Sequence, residues 1–185
     1  MRIAVYSGSF NPLHTGHLAI MRTLSAWEGA DWTYLVVSPQ NPLKEAEAAR
    51  TGKERYLAAL EALRRHPELR VWLDDIELRM PPPSYTIRTL DTFRRQEPGN
   101  TFTLVIGGDN LAVIRRWKDY GRILREYGVA VYPRSGFDSE ALRAELLEED
   151  PSYRITLLDC PLVDISSTQV REAIARGEDV GNWLM

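Results

Sequence analysis

The chain has 185 residues, a net charge of −3 from 23 basic and 26 acidic side chains, 44% hydrophobic residues, 26% charged residues and one cysteine. That length suits one domain with a substantial core, and the acidic balance speaks against an extended nucleic-acid surface while leaving room for a small anionic substrate in a local basic pocket. A lone cysteine excludes an internal disulfide or a cysteine-based metal framework and fits a reducing cytoplasm; no charged leader precedes the first apolar run, and no stretch approaches the length of a membrane span.

Ile3 to Tyr6 reads as a strand. It leads into Gly8-Ser9-Phe10-Asn11-Pro12-Leu13-His14-Thr15-Gly16-His17, a glycine turn opening a helix over Leu18 to Trp27 that closes near Gly29. Tyr34 to Val37 has the continuous apolar character of a strand buried on both faces. The loop from Ser38 to Lys44 follows, held extended by two prolines. Thr51-x-x-Glu54 is a capping box; its helix turns Leu57, Leu60 and Leu63 to one face and ends in basic residues. Val71 to Leu78 alternates imperfectly and carries Asp74, Asp75 and Glu77, as an edge strand does. Prolines 81–83 break regular structure. Thr86 to Gln96 is a helix with Ile87, Leu90 and Phe93 aligned. Thr101 to Ile106 is a buried strand running into Gly107-Gly108-Asp109, and Asn110 caps a helix that reaches Trp117. Asp119 to Tyr127 is a further helix. Val129 to Tyr132 is a strand ending at Pro133-Arg134-Ser135. Asp138 to Glu149 is an acidic helix with Leu142 and Leu146 inward. Arg154 to Leu158 is the last strand, and Cys160 beyond it reads as a buried structural thiol. Ser166-x-x-Gln169 is a second capping box, with Val170, Ala173 and Ile174 forming the apolar face of the last helix.

Strands alternate with helices throughout, so the expected class is α/β: a Rossmann-like, doubly wound, mostly parallel sheet with helices on both faces, in a single domain spanning residues 1–185. Ligands of such sheets bind at the carboxyl ends of the strands. The loops Gly8–His17, Ser38–Lys44, Gly107–Asp109 and Pro133–Ser135 should therefore line one crevice.

Two of the three histidines, His14 and His17, stand three residues apart at a predicted helix start. A helix start presents unpaired N–H groups and a partial positive charge, and a phosphate is its natural occupant. Gly8 lets the main chain approach such an anion, and Pro12 stiffens the loop. Converging imidazoles can hold a phosphoryl group and stabilise charge that builds on it. The same spacing also suits half-buried turn residues or a metal pair, although two histidines without a third ligand make a thin zinc site. Pooling the loops adds Lys44, Asp109, Arg134, Arg171 and the hydroxyls of Ser166, Ser167 and Thr168. That set suits phosphoryl-type displacement without a protein nucleophile. Arg171 reads equally well as a surface ion pair.

The stretch from Gly8 to His17 resembles the GxFxPxHxGH signature of the nucleotidylyltransferase superfamily, and Ile165-Ser166-Ser167-Thr168-Gln169-Val170-Arg171 resembles its ISSTxxR signature. Pro83-Ser84-Tyr85-Thr86, Ile106-Gly107-Gly108-Asp109-Asn110-Leu111 and Trp117 followed by Tyr120 extend the likeness, over nearly the whole chain, to the bacterial nicotinate-mononucleotide adenylyltransferases. The resemblance implies transfer of AMP from ATP to nicotinate mononucleotide, giving deamido-NAD and pyrophosphate; phosphopantetheine adenylyltransferase is the nearest alternative, followed by nicotinamide-mononucleotide adenylyltransferase and, in another class, a non-catalytic nucleotide-binding regulator. It implies that His14 and His17 hold the ATP phosphates, that Gly8, Ser9 and Phe10 cover the nucleotide, and that Ser166, Ser167, Thr168 and Arg171 bind adenosine and triphosphate. Gly107 and Asp109 would belong to the ATP side, with Asp109 at a ribose. Lys44, Tyr85, Thr86, Trp117 and Arg134 would form the nicotinate-nucleotide side. Mg²⁺ would be held by phosphates rather than by a protein cage. The PPHK-like run of many relatives is Asn41-Pro42-Leu43-Lys44 here, so only Lys44 carries over. Relatives usually continue beyond the last helix. Here the chain ends at Trp183-Leu184-Met185, whose apolar residues should pack against something.

Overall fold

The computed structural model describes residues 1–39, 51–162 and 164–185. Its six strands are β1 (Arg2–Gly8), β2 (Trp32–Val37), β3 (Val71–Asp74), β4 (Thr101–Gly107), β5 (Val129–Tyr132) and β6 (Ile155–Leu157). They form one all-parallel sheet in the order β3-β2-β1-β4-β5-β6. The helices are α1 (Thr15–Ala26), α2 (Gly52–Arg64), α3 (Ile76–Arg79), α4 (Thr86–Gln96), α5 (Gly108–Ala112), α6 (Tyr120–Arg122), α7 (Ser139–Glu149) and α8 (Ser167–Ala175). A 3-10 turn at Ile114–Arg116 and a π turn at Ile123–Tyr127 follow α5 and α6. No described helix is long and apolar enough to cross a membrane.

Successive side chains of a strand point to opposite faces. Along β1, Ile3 and Val5 enter one core with Ile87, Leu90 and Phe93 of α4, while Ala4 and Tyr6 enter the other with Leu18, Met21 and Leu24 of α1. Helices on both faces explain why β1, β2 and β4 carry continuous apolar runs. The strand order reverses between β1 and β4. Their carboxyl ends, Gly8 and Gly107, flank the crevice where ligands of such sheets bind.

Several local expectations change. In α2 the buried residues are Arg55, Ala59 and Ala62, whereas Leu57 is exposed. Arg55 sets this rotation, because its Nη1 donates to Ser9 O at 2.6 Å and Ser38 O at 2.8 Å. The expected strand over Val71 to Leu78 stops at Asp74, whose carboxylate accepts the Ile76 N–H and turns the chain into α3. Glu77 is thereby buried and accepts from Ser38 Oγ at 2.6 Å, Thr89 Oγ1 at 2.9 Å and Ser7 Oγ at 3.1 Å. The helix after β4 begins at Gly108, so Asn110 lies inside it rather than capping it. On α8, Val170 and Ala173 are buried but Ile174 is exposed.

Candidate active site

The turn after β1 is built around a buried aromatic wedge. Phe10 has φ 45°, a left-handed backbone that is strained for an aromatic residue. Its ring meets Tyr6 edge-on at 5.3 Å and His17 at 5.2 Å. A Cβ on Gly8 would fall 3.0 Å from that ring. The bare Gly8 therefore makes room for the Phe10 ring.

His14 is the N-cap of α1. Its Nδ1 accepts the Gly16 N–H at 3.1 Å, and His17 Nδ1 accepts the His14 N–H at 3.2 Å, so two imidazoles form a reciprocal capping box. An Nδ1 that accepts carries no proton, and each neutral ring is thus the tautomer with its proton on Nε2. Gly16 permits this: a Cβ there would lie 2.9 Å from His14 Cε1 and 3.1 Å from Ile165 Cγ2. The Thr15 N–H donates to Trp183 O at 2.8 Å. The first main-chain donors of the helix already have protein acceptors. The groups α1 can offer an anion are the Nε2–H donors instead of the main-chain N–H groups expected.

The two rings lie 3.7 Å apart between centroids, inclined at 31°. Burial lowers the His14 pKa to about 4, with the Arg134 charge adding to the effect. Burial also holds His17 well below the ordinary histidine value, followed by the influence of His14 and Arg134. Both rings are uncharged donors near neutral pH.

These imidazoles line a cavity of about 120 Å³ together with Tyr6, Arg134, Ser166 and Ser167. An adjoining cavity of about 370 Å³ shares Arg134, Ile165 and Ser166 and adds Asp109 and Gln169. Loops after β1, β4, β5 and β6 thus meet along one groove. Within it, Asp109 Oδ1 is buried without a hydrogen-bond partner, 3.5 Å from Arg134 Nε. A Cβ on Gly107 would sit 2.3 Å from that oxygen, so only glycine lets Asp109 fold back over the strand end. Ser166 caps α8, and its Oγ accepts the Gln169 N–H as the capping pattern predicts.

Arg171 lies elsewhere. Its Nη1 donates to Asn11 O at 2.7 Å and its Nη2 to Thr168 Oγ1 at 3.2 Å. It lines a separate cavity of about 420 Å³ with Pro12, Leu13, Arg65 and Ile174. Ser167 Oγ donates to Pro12 O at 3.1 Å, so α8 grips the histidine turn at two carbonyls. Ser9 is exposed, its carbonyl held by Arg55. Tyr85 is exposed beneath Lys118 Nζ, 5.1 Å from its ring, and Thr86 opens α4. Trp117 packs partly buried against the α4-side core. Tyr85, Thr86 and Trp117 do not line the groove of the histidines, and Lys44 falls outside the described residues. Among the described residues, no group of three or more His, Cys, Asp or Glu side chains is placed to hold a metal ion. Arg55 and Glu77, which tie the strand ends together, escaped sequence reading because each looked like an ordinary exposed charge; Gly16 was visible inside the motif, but its steric role was not.

Residues 5–173 match the cytidylyltransferase-like family model. The chain is 38% identical over 183 residues to a Bacteroides fragilis protein named "Probable nicotinate-nucleotide adenylyltransferase", covering 99% of this chain and 87% of that one. A protein of the same name from Azobacteroides pseudotrichonymphae is 36% identical over 184 residues, covering 100% and 92%. The fold is similar to that of Plasmodium falciparum nicotinic acid mononucleotide adenylyltransferase complexed with NaAD, with a TM-score of 0.78, 18% identity, and 99% and 90% of the two chains covered.

Proposed function

The chain belongs to the cytidylyltransferase-like family, and from that premise we propose that it transfers AMP from ATP to nicotinate mononucleotide, releasing pyrophosphate and forming deamido-NAD for NAD biosynthesis. The names of its full-length relatives support this substrate pair. The observation that carries the chemistry is the close imidazole pair, whose Nδ1 atoms are both committed to main-chain N–H groups.

In this reading a phosphate oxygen of nicotinate mononucleotide attacks the α-phosphorus of ATP in line. The bond to the bridging oxygen breaks and pyrophosphate leaves, with no covalent enzyme intermediate. His14 and His17 donate from Nε2 to phosphate oxygens as negative charge moves onto them, the point at which fixed donors lower a barrier most. Neutral rings suit this role because they enter the cleft without repelling each other. Arg134 adds a fixed positive charge beside them. Asp109, whose buried Oδ1 makes no hydrogen bond and is ion-paired with Arg134 at 3.5 Å, fits a ribose hydroxyl. Ser166 and Ser167 face the same groove. Mg²⁺ would be bound through phosphate oxygens and supply further charge neutralisation. Tyr85, Thr86 and Trp117, with Lys44, would serve the pyridine nucleotide. One cysteine and soluble nucleotide substrates fit a cytoplasmic setting.

Pyrophosphate release from ATP and Mg²⁺ with nicotinate mononucleotide, nicotinamide mononucleotide or phosphopantetheine tests the proposal. Release with the nicotinate nucleotide well above the other two is expected. Release with phosphopantetheine alone would overturn it.

A further inference from the structure

Trp183-Leu184-Met185 lies against the histidine turn, and the chemistry above gives it no task. Trp183 O accepts the Thr15 N–H at 2.8 Å, and Leu184 pairs with His14 as an isolated antiparallel bridge. Arg65 at the end of α2 donates Nη2 to Met185 O at 2.6 Å. Met185 is buried in the same apolar cluster as Phe10, Leu13 and Leu18. Upstream, Val180 O accepts the Trp183 N–H at 2.8 Å and the Leu184 N–H at 3.2 Å, while the Val180 side chain packs on Val170 and Ala173 of α8.

We propose that residues 183–185 are a positioning strap that fixes His14 and His17 by holding the first turn of α1. A carbonyl at a helix N-terminus satisfies a donor that no helical partner can reach and complements the positive end of the helix dipole. Here the carbonyl takes the N1 donor. The turn so held keeps the Gly16 N–H, at N2, on His14 Nδ1, which keeps the imidazole in its cap. Without the strap, the Thr15 N–H would be left for solvent and the first turn would loosen, and the ring would lose its single orientation and tautomer. Small displacements of groups that stabilise a transition state cost turnover steeply. These are positioning residues acting through His14, and the kinetic part of the inference rests on the adenylyltransfer reading.

The test compares the full chain with a variant lacking residues 183–185 and with Arg65→Ala. Arg65 is exposed and is not assigned to the groove; its replacement releases only the Met185 anchor. Imidazole ¹⁵N spectra and amide exchange read the strap without any substrate. The full chain should show both histidines as single Nε2–H tautomers and a protected Thr15 amide. Both variants should lose Thr15 protection and show averaged His14 tautomers. With ATP and nicotinate mononucleotide, kcat should fall roughly ten- to hundredfold in the truncated chain, with KM for ATP changed less than about twofold. If the truncated chain does not fold by circular dichroism, Arg65→Ala decides, with the same spectral changes and a kcat loss of several-fold. Unchanged tautomers and unchanged Thr15 exchange would overturn the strap whatever the activity. A full chain with no adenylyltransfer but with the spectral changes in its variants would sink the reaction and leave the strap standing.

Discussion

His14 and His17 cap one helix reciprocally: each accepts, through Nδ1, a main-chain N–H of the turn they share, and their rings lie tilted 3.7 Å apart. The groups proposed for chemistry are also the groups that start the helix. Their contributions to turnover and to local structure separate only when a substitution keeps one role and removes the other.

His17→Ala removes one donor and the acceptor for the His14 N–H. We expect kcat to fall at least about a hundredfold, the scale of losing one charge-stabilising donor, with ATP affinity by calorimetry changed less than about fivefold. A variant with wild-type kcat would end the role assigned to this ring.

Stability should follow the His14 proton. Its pKa lies at about 4 in the folded chain against an ordinary 6.5, so below 6.5 the unfolded chain binds more protons and unfolding gains as pH falls. The stabilisation is complete above 6.5, is lost on going down toward 4, and amounts to roughly 3 kcal/mol at most. His14→Asn keeps a side-chain cap acceptor and has nothing to titrate. Melting curves from pH 7 to 4 should therefore fall less steeply for the variant.

Gly16→Ala places a methyl group 2.9 Å from His14 Cε1. Alanine is a good helix former, so the melting temperature should stay within a few degrees while kcat drops about tenfold or more as the ring is pushed from its cap. Activity within a factor of two of the parent would show that the ring tolerates the shift.

Arg171→Lys distinguishes a brace from a phosphate ligand. Lysine keeps the charge but cannot bridge Asn11 O and Thr168 Oγ1 with a planar fork. If the arginine acts by holding the turn, Lys and Ala variants should lose similar kcat with little change in KM for ATP. Recovery of most activity by lysine would instead place the charge on the triphosphate.

Glu77→Ala leaves the Ser7, Ser38 and Thr89 hydroxyls around an empty site. Urea denaturation should show a loss of about 2–4 kcal/mol, as expected when buried polar groups lose their partner.

The alternation of apolar runs and amphipathic segments made the parallel sheet legible, and with it the position of the crevice. The capping boxes at Thr51 and Ser166 read directly because they use the usual short side chains. The box at His14 did not: the histidines are legible at the helix start, but the capping role of an imidazole carries none of the short-side-chain pattern that marks a box. Arg55 and Glu77 were hidden for a different reason. Their burial depends on loops from distant strands closing over them, and no local periodicity records that. The contact of Arg171 with Asn11 O was not legible, because residues so far apart in the chain carry no local pattern that records which side of the turn the arginine approaches.

The imidazole cap has a thermal consequence. Helix ends loosen before their middles, at temperatures where the sheet is still intact. When the first turn of α1 opens, both rings lose the Nδ1 contacts that orient them, because Gly16 N–H and His14 N–H belong to that turn. Heat inactivation should therefore precede loss of ellipticity, and it should reverse on cooling as the end of the helix closes again.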